Sequence, residues 1–263
     1  MRNCLITEEQ LNFLLDNGAA CIKEEKGGID IRMKVLAELI YDKSLEYSAE
    51  NKTSFIISAQ DLNRFQDYIV FSAPLRIVLT SLKNNASATF SFFKNENTII
   101  LDPARYKGKN YDIPVIIHEL THMIRYNKTK ESSILRIQSS DERSLTVNKY
   151  LYYFNTNEMQ ARISQYYYFC QYNNIVPPSS ANVSSITNLH KIQQSIDELR
   201  KDPILAFLFS CAIRKTFKKG PMNGKDFLKK GYSSLLSYVE KRYKIYYKKL
   251  MKIYNYFSNQ NLS

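Results

Sequence analysis

The sequence predicts an α+β fold: a small, mostly antiparallel sheet packed on a histidine-bearing helix, with further helices added at the N- and C-terminal ends. Three observations carry that expectation. Short apolar runs between residues 54 and 102 have the length and composition of strands. A helical pattern follows them and contains His118-Glu119-Leu120-Thr121-His122. On both sides of this core the apolar residues recur at helical spacing, so strands and helices are segregated along the chain.

In order, Thr7-Glu8-Glu9-Gln10 has the form of a capping box and opens a helix carrying Leu11, Phe13, Leu14 and Leu15, which Gly27-Gly28 ends. A second helix is expected over 31–48, burying Met33, Val35, Leu36, Leu39, Ile40 and Leu45. The period then changes. Residues 54–58 read as a strand and 59–71 as a brief helix. Residues 75–82 and 86–93 read as strands around a Lys83-Asn84-Asn85 turn, and 98–102 as a strand ended by Pro103.

The helix after the sheet organises the rest. Asp112 is its expected N-cap, and Pro114 is expected in the first turn, where a missing N–H costs nothing. Ile113, Ile116, Ile117, Leu120, Met123 and Ile124 would face a core. His118 and His122 lie one turn apart, about 6 Å along the axis, so both imidazoles leave the same side. Two such nitrogens can bind one tetrahedral zinc at roughly 2.0–2.1 Å. Glu119 points about 100° away, where it can reach a metal-bound water as a general base must. The chain has 3 histidines, two of them in this pentapeptide. At that frequency chance would produce the motif in roughly one chain in several hundred, which favours the metal over a pair of plain surface histidines.

Beyond the helix, 127–147 is polar and reads as a surface loop, long enough to suggest a function of its own. Asn157-Glu158 opens a helix through Met159, Ile163, Tyr167 and Cys170. Residues 173–188, with Pro177-Pro178-Ser179-Ser180, read as a linker, and 189–215 as largely helical. The expected organisation is an N-terminal helical region (1–53), a catalytic domain (54–172), a linker (173–188) and a basic C-terminal helical region (189–263). From Arg214 to Lys252 there are thirteen Lys/Arg against Asp226 and Glu240, which is +11 of the chain's +12. Within that stretch Tyr232, Leu236, Val239, Tyr243, Tyr246, Leu250, Ile253 and Phe257 form a heptad-like seam. The seam would pack on its own domain and leave a solvated basic face. That helix could equally dock on nucleic acid or another acidic surface, or coil with a partner.

Length and composition bound the rest. A chain of 263 residues, 44% hydrophobic, can bury a substantial core. Cys4, Cys21, Cys170 and Cys211 form no C-x-x-C pair and read as reduced thiols. The first residues lack a signal-peptide core, and no apolar run nears the ~18 residues of a spanning helix. The expectation is a protein that is cytoplasmic or packaged in a virion, with no membrane partner. A Tyr-, Asn-, Lys- and Ile-rich chain without tryptophan suggests an A/T-biased coding sequence, as in a virus, phage or low-GC bacterium.

A zinc site with a reactive water needs a third protein ligand. His190, Glu131, Asp141, Glu142 and Glu158 are the candidates. Glu158 is the best placed, because it opens an amphipathic helix and Ala161 is small enough to allow close helix approach. Together, His118-Glu119-x-x-His122 and the later Tyr153-Phe154-Asn155-Thr156-Asn157-Glu158-Met159-Gln160-Ala161-Arg162 resemble zincin metallopeptidases of the glutamate-ligand branch. They are most similar to the zincin-like domains of phage and mobile-element proteins. The resemblance covers roughly residues 54–172.

It implies a zincin-like fold and a Zn2+ cofactor held by His118, His122 and Glu158, with Glu119 as base and acid in the hydrolysis of a protein or peptide substrate. It also implies an antiparallel edge strand bordering the cleft, which Thr98, Ile99, Ile100 and Leu101 would supply for an extended peptide. The oxyanion partner is not fixed by the motif; Tyr166, two turns after Glu158, is the first choice and His190 the second. One departure stands out: Arg162 occupies the place where well-known members carry an acid supporting a histidine ligand. The rival reading is a non-enzymatic virion, assembly or nucleic-acid-binding protein that keeps the scaffold. A third is a regulator or toxin cleaving one host protein.

Overall fold

The structure, a computed structural model, describes residues 31–65, 70–82, 87–93, 96–129, 141–216 and 223–260. The chain divides into two compact units, Met1–Glu131 and Ser132–Ser263. Charge divides with them. The first unit holds seventeen Lys/Arg and seventeen Asp/Glu, hence zero, and the second twenty against eight, hence the whole +12. The helix expected after Thr7, Cys4 and Cys21, the 83–85 turn and Glu131 fall outside the described residues.

The first unit is α+β. Helix α1 (Ile31–Ala49) precedes strand β1 (Ser54–Ile57), helix α2 (Ala59–Arg64), strands β2 (Leu75–Leu79), β3 (Ala88–Phe93) and β4 (Glu96–Leu101), and helix α3 (Lys109–Thr129). The strands form one mixed sheet in the order β1-β2-β4-β3. Its central pair β2-β4 is parallel, and β1 and β3 are antiparallel at the two edges. Alternation drives burial: Leu75, Ile77, Ile99 and Leu101 are inside while their neighbours are half-exposed, as one covered sheet face requires. Helix α1, with Leu36, Ala37 and Ile40 buried, packs on α3, so residues 31–49 are part of this unit.

The sheet corrects one expectation. Thr98, Ile99, Ile100 and Leu101 were assigned to a cleft edge, yet β4 is hydrogen-bonded to β2 on one side and β3 on the other. Its apolar run reads as a strand covered on both edges. The edge beside it is formed by the preceding strand, β3, one of the two antiparallel edge strands. There Phe90 and Phe92 stack against Tyr126 of α3, with ring centroids 6.2 and 4.6 Å apart. Buried Asn97 ties the sheet to the same helix by accepting a hydrogen bond from Asn127 at 2.7 Å.

The second unit is helical as described: α4 (Glu142–Tyr153), α5 (Thr156–Asn173), α6 (Ser184–Thr187), α7 (Leu189–Lys201), α8 (Pro203–Thr216) and α9 (Tyr232–Gln260). Helix α4 replaces the last part of the expected loop, 142–147, and α3 runs on to 129; residues 130–140 lie outside the described residues. Asp141 caps it by accepting from the Ser144 N–H at 2.9 Å, and Val147, Tyr150 and Leu151 are its buried face. Asp202 caps α8 in the same way, at 2.9 Å from the N–H groups of both Ile204 and Leu205. The expected linker 173–188 is also part of the core. Val183 and Thr187 are wholly buried, and the Thr187 hydroxyl donates to Pro178 O at 3.0 Å.

The seam of α9 closes this core. Val239, Tyr246 and Leu250 are buried, and Tyr232, Leu236, Tyr243, Ile253 and Phe257 pack against the same cluster. The Tyr246 hydroxyl donates to Thr187 O at 2.8 Å, and Arg242 donates to Phe154 O at 2.6 Å. Cys170 and Cys211 are free thiols. Among the described residues no helix is long and apolar enough to cross a membrane.

Because Leu250 is fully buried, Leu250→Ala should cost about 2–5 kcal/mol through lost apolar burial and the cavity it leaves. A urea titration followed by far-ultraviolet circular dichroism reads this as a lower midpoint. An unchanged midpoint would mean that α9 is not part of the core.

Candidate metal centre

Helix α3 is anchored before it reaches the histidines. Gly108 turns the chain at φ +112°, a backbone angle that favours glycine, and α3 begins at the next residue. The Asp112 carboxylate reaches back to accept from the N–H groups of Lys107 and Gly108, both at 2.7 Å. Asp112 thus braces the first turn from inside it and is not the N-cap. Burial raises its pKa while those two hydrogen bonds oppose the rise. Pro114 lies one turn further in than expected, within the helix. Ile113, Ile116, Ile117, Leu120 and Met123 then bury the opposite face, which leaves the helix no freedom to roll.

That anchoring fixes where the imidazoles point. The Nε2 atoms of His118 and His122 are 3.1 Å apart, with the rings edge to face at 78°. Two neutral imidazoles at this spacing share one N–H, and a cation would replace that hydrogen. Ligands about 2.0–2.1 Å from one tetrahedral ion are themselves about 3.3 Å apart, so the pair is already near ligating separation. Glu119, beside them in sequence, is buried at 9% exposure.

Glu158 is positioned by the start of α5. The Asn155 side chain accepts from the N–H groups of Asn157 at 2.7 Å and Glu158 at 3.2 Å, which makes Asn155 the N-cap and puts the carboxylate in the first turn, where the helix dipole favours negative charge. Arg162, one turn on, brings a guanidinium nitrogen to 3.7 Å from the Glu158 carboxylate. The guanidinium is itself buried. It donates to Ile186 O at 2.9 Å and to the Tyr152 hydroxyl, and lies 5.1 Å over the Tyr152 ring. With its amide oxygen turned inward, Asn188 accepts from both terminal nitrogens at 3.0 Å. Arginine's planar fork can serve all these acceptors at once.

Among the described residues, His118, His122 and Glu158 form a group that could hold a metal ion: each offers one ligand atom, and these atoms all lie within 4.8 Å of one another. The other expectations do not join them. Tyr166 is a correction. It is fully buried in the core of the second unit, its hydroxyl donates to Val176 O, and burial pushes its phenol far above the ordinary range. A hydroxyl committed to a backbone carbonyl in the core cannot meet an oxyanion. His190 is exposed at the start of α7, Asp141 is the α4 cap, and Glu142 is an exposed first-turn residue. Reading the sequence missed the Tyr152–Arg162–Asn188 network, whose only signal was the misplaced charge at Arg162.

Comparison of the chain with protein-family models, curated proteins and solved structures finds no match.

Arg162→Lys keeps the charge but loses the fork that holds Glu158 in place. Divalent-metal affinity, measured by competitive titration, should fall about 10–100-fold, with a stability loss of about 1–3 kcal/mol from acceptors left unserved. Unaltered affinity would separate Arg162 from the site.

Proposed function

We propose that the chain is a zinc-dependent peptidase with a zincin-like catalytic core. The observation that carries this reading is the clustering of His118, His122 and Glu158 ligand atoms within 4.8 Å, on a pentapeptide whose own glutamate stays outside the group. Two imidazoles and one carboxylate form the donor set of hydrolytic zinc sites, which leave a fourth position for water. Bound there, zinc would lower the pKa of a water to about 7 and polarise a carbonyl.

The chain's own residues do the remaining work. Glu119, buried next to His118, takes the proton from the attacking water and returns it to the leaving amine nitrogen. Arg162, with a guanidinium nitrogen 3.7 Å from the Glu158 carboxylate, orients it. Strand β3 supports docking of an extended peptide. Among the described residues it pairs only with β4, so its outer edge can take another strand, and its Phe90 and Phe92 lean on Tyr126, one turn past His122. The rival, a virion or assembly protein on the same scaffold, draws on the basic surface of α9 treated below.

Wild-type protein is expected to carry about one zinc per chain by elemental analysis and His122→Ala almost none, because two ligands hold zinc poorly. Glu119→Gln should retain the metal and lose cleavage of a peptide library by about 100-fold or more. Zinc-loaded wild type that leaves the library uncut, or a Glu119→Gln variant as active as wild type, would remove the peptidase reading.

A further inference from the structure

Helix α9 spans 29 residues, about 43 Å at 1.5 Å per residue. Its apolar seam is occupied by its own unit, through Leu235, Val239, Tyr246 and Leu250. The opposite side is exposed and carries Lys241, Lys244, Lys248 and Lys252. Their spacings of three, four and four put them on one stripe about 16 Å long. Glu240 is the one acid in α9, and Arg200 holds it at 2.9 Å. Among the described residues no carboxylate pairs with any of the four lysines.

Four like charges one turn apart repel, since a turn is shorter than the ~8 Å screening length of physiological salt. The one acid within reach in the helix is Glu240, a turn before Lys244, and Arg200 shares it, so most of the stripe's charge is uncompensated. A partner with closely repeated negative charge would relieve that repulsion.

We propose that this stripe is a docking surface for the phosphate backbone of nucleic acid. Duplex DNA presents about one negative charge per 1.7 Å of axis, so the stripe would run beside roughly nine charges. Lysines are point charges without the arginine fork, which suits contact with phosphates and not the reading of base edges, so binding would be independent of sequence. An anionic membrane fits less well. Interfacial helices bury an apolar face among lipids, and here that face is already occupied by the protein core, leaving only Ile245, at 48% exposure, within the stripe. The inference does not depend on the metal or on peptidase activity.

The test uses the full chain and a fluorescent duplex of about 20 base pairs, with affinity measured by anisotropy over a salt series. Wild type should bind with steep salt dependence. The variant K241Q/K244Q/K248Q/K252Q should lose about 3–4 from the slope of log affinity against log salt, at about 0.9 per phosphate contact. Its circular dichroism melting curve should match or slightly exceed wild type, because all four side chains are exposed and their mutual repulsion is removed. The control K149Q/K191Q/K201Q/K225Q removes the same charge from exposed sites elsewhere in this unit and should keep most of the slope. Equal loss in the control, an unaltered slope in the stripe variant, or wild type that ignores the duplex while binding phosphatidylserine vesicles would each overturn the proposal.

Discussion

The structure depends on a helix that cannot rotate. His118 and His122 stand one turn apart, so the helix itself brings their Nε2 atoms to 3.1 Å, while the apolar face on one side and Asp112 at the first turn fix the direction in which both point. A roll about its own axis would leave the two imidazoles as close as before but turn both toward a different part of the surroundings. The sheet, α1 and the Asn97–Asn127 bond all serve that restraint. Bulky Ile, Leu and Met in the buried positions make it stiff, because close-packed side chains resist displacement.

The second unit solves a different problem, how to keep an acid and an arginine together out of water. Burying either alone would be costly, and burying the pair is tolerable only if the remaining donors are served. The end of α6, Tyr152 and Asn188 provide that service. This accounts for the left-handed backbone at Asn188 between α6 and α7, at φ 52°, which brings the Ile186 carbonyl and the Asn188 amide to one side of the guanidinium. A stretch rich in proline and serine therefore ends in one of the most constrained turns of the unit.

Much of this was legible in the sequence, for physical reasons. The strands between 54 and 102, α3 and the pentapeptide were readable because local periodicity and burial coincide there. Glu158 was readable because an Asn cap and a small Ala161 mark a helix start that can be approached closely. The edge assignment failed because strand order is a non-local property: nothing within 98–101 reveals that β2, more than twenty residues earlier, pairs in parallel with the side that β3 leaves open. Helix α4 was hidden by polar residues on its exposed side, although Val147, Tyr150, Leu151 and Phe154 keep helical spacing. Tyr166 misled because a position two turns after a ligand shares its face in an isolated helix, whereas here that hydroxyl is captured by Val176 O. The Pro/Ser composition of 173–188 suggested a tether, and composition alone could not show that Thr187 would anchor Tyr246.

The closed seam of α9 has one more consequence. Many basic segments are unfolded until they meet a polyanion and must be ordered at that moment, which offsets part of their attraction. Here Val239, Tyr246 and Leu250 have already fixed the backbone beneath the lysines. Only the side-chain tips remain to be immobilised, so association along this face would proceed with little change in heat capacity and without waiting for a coil to wind.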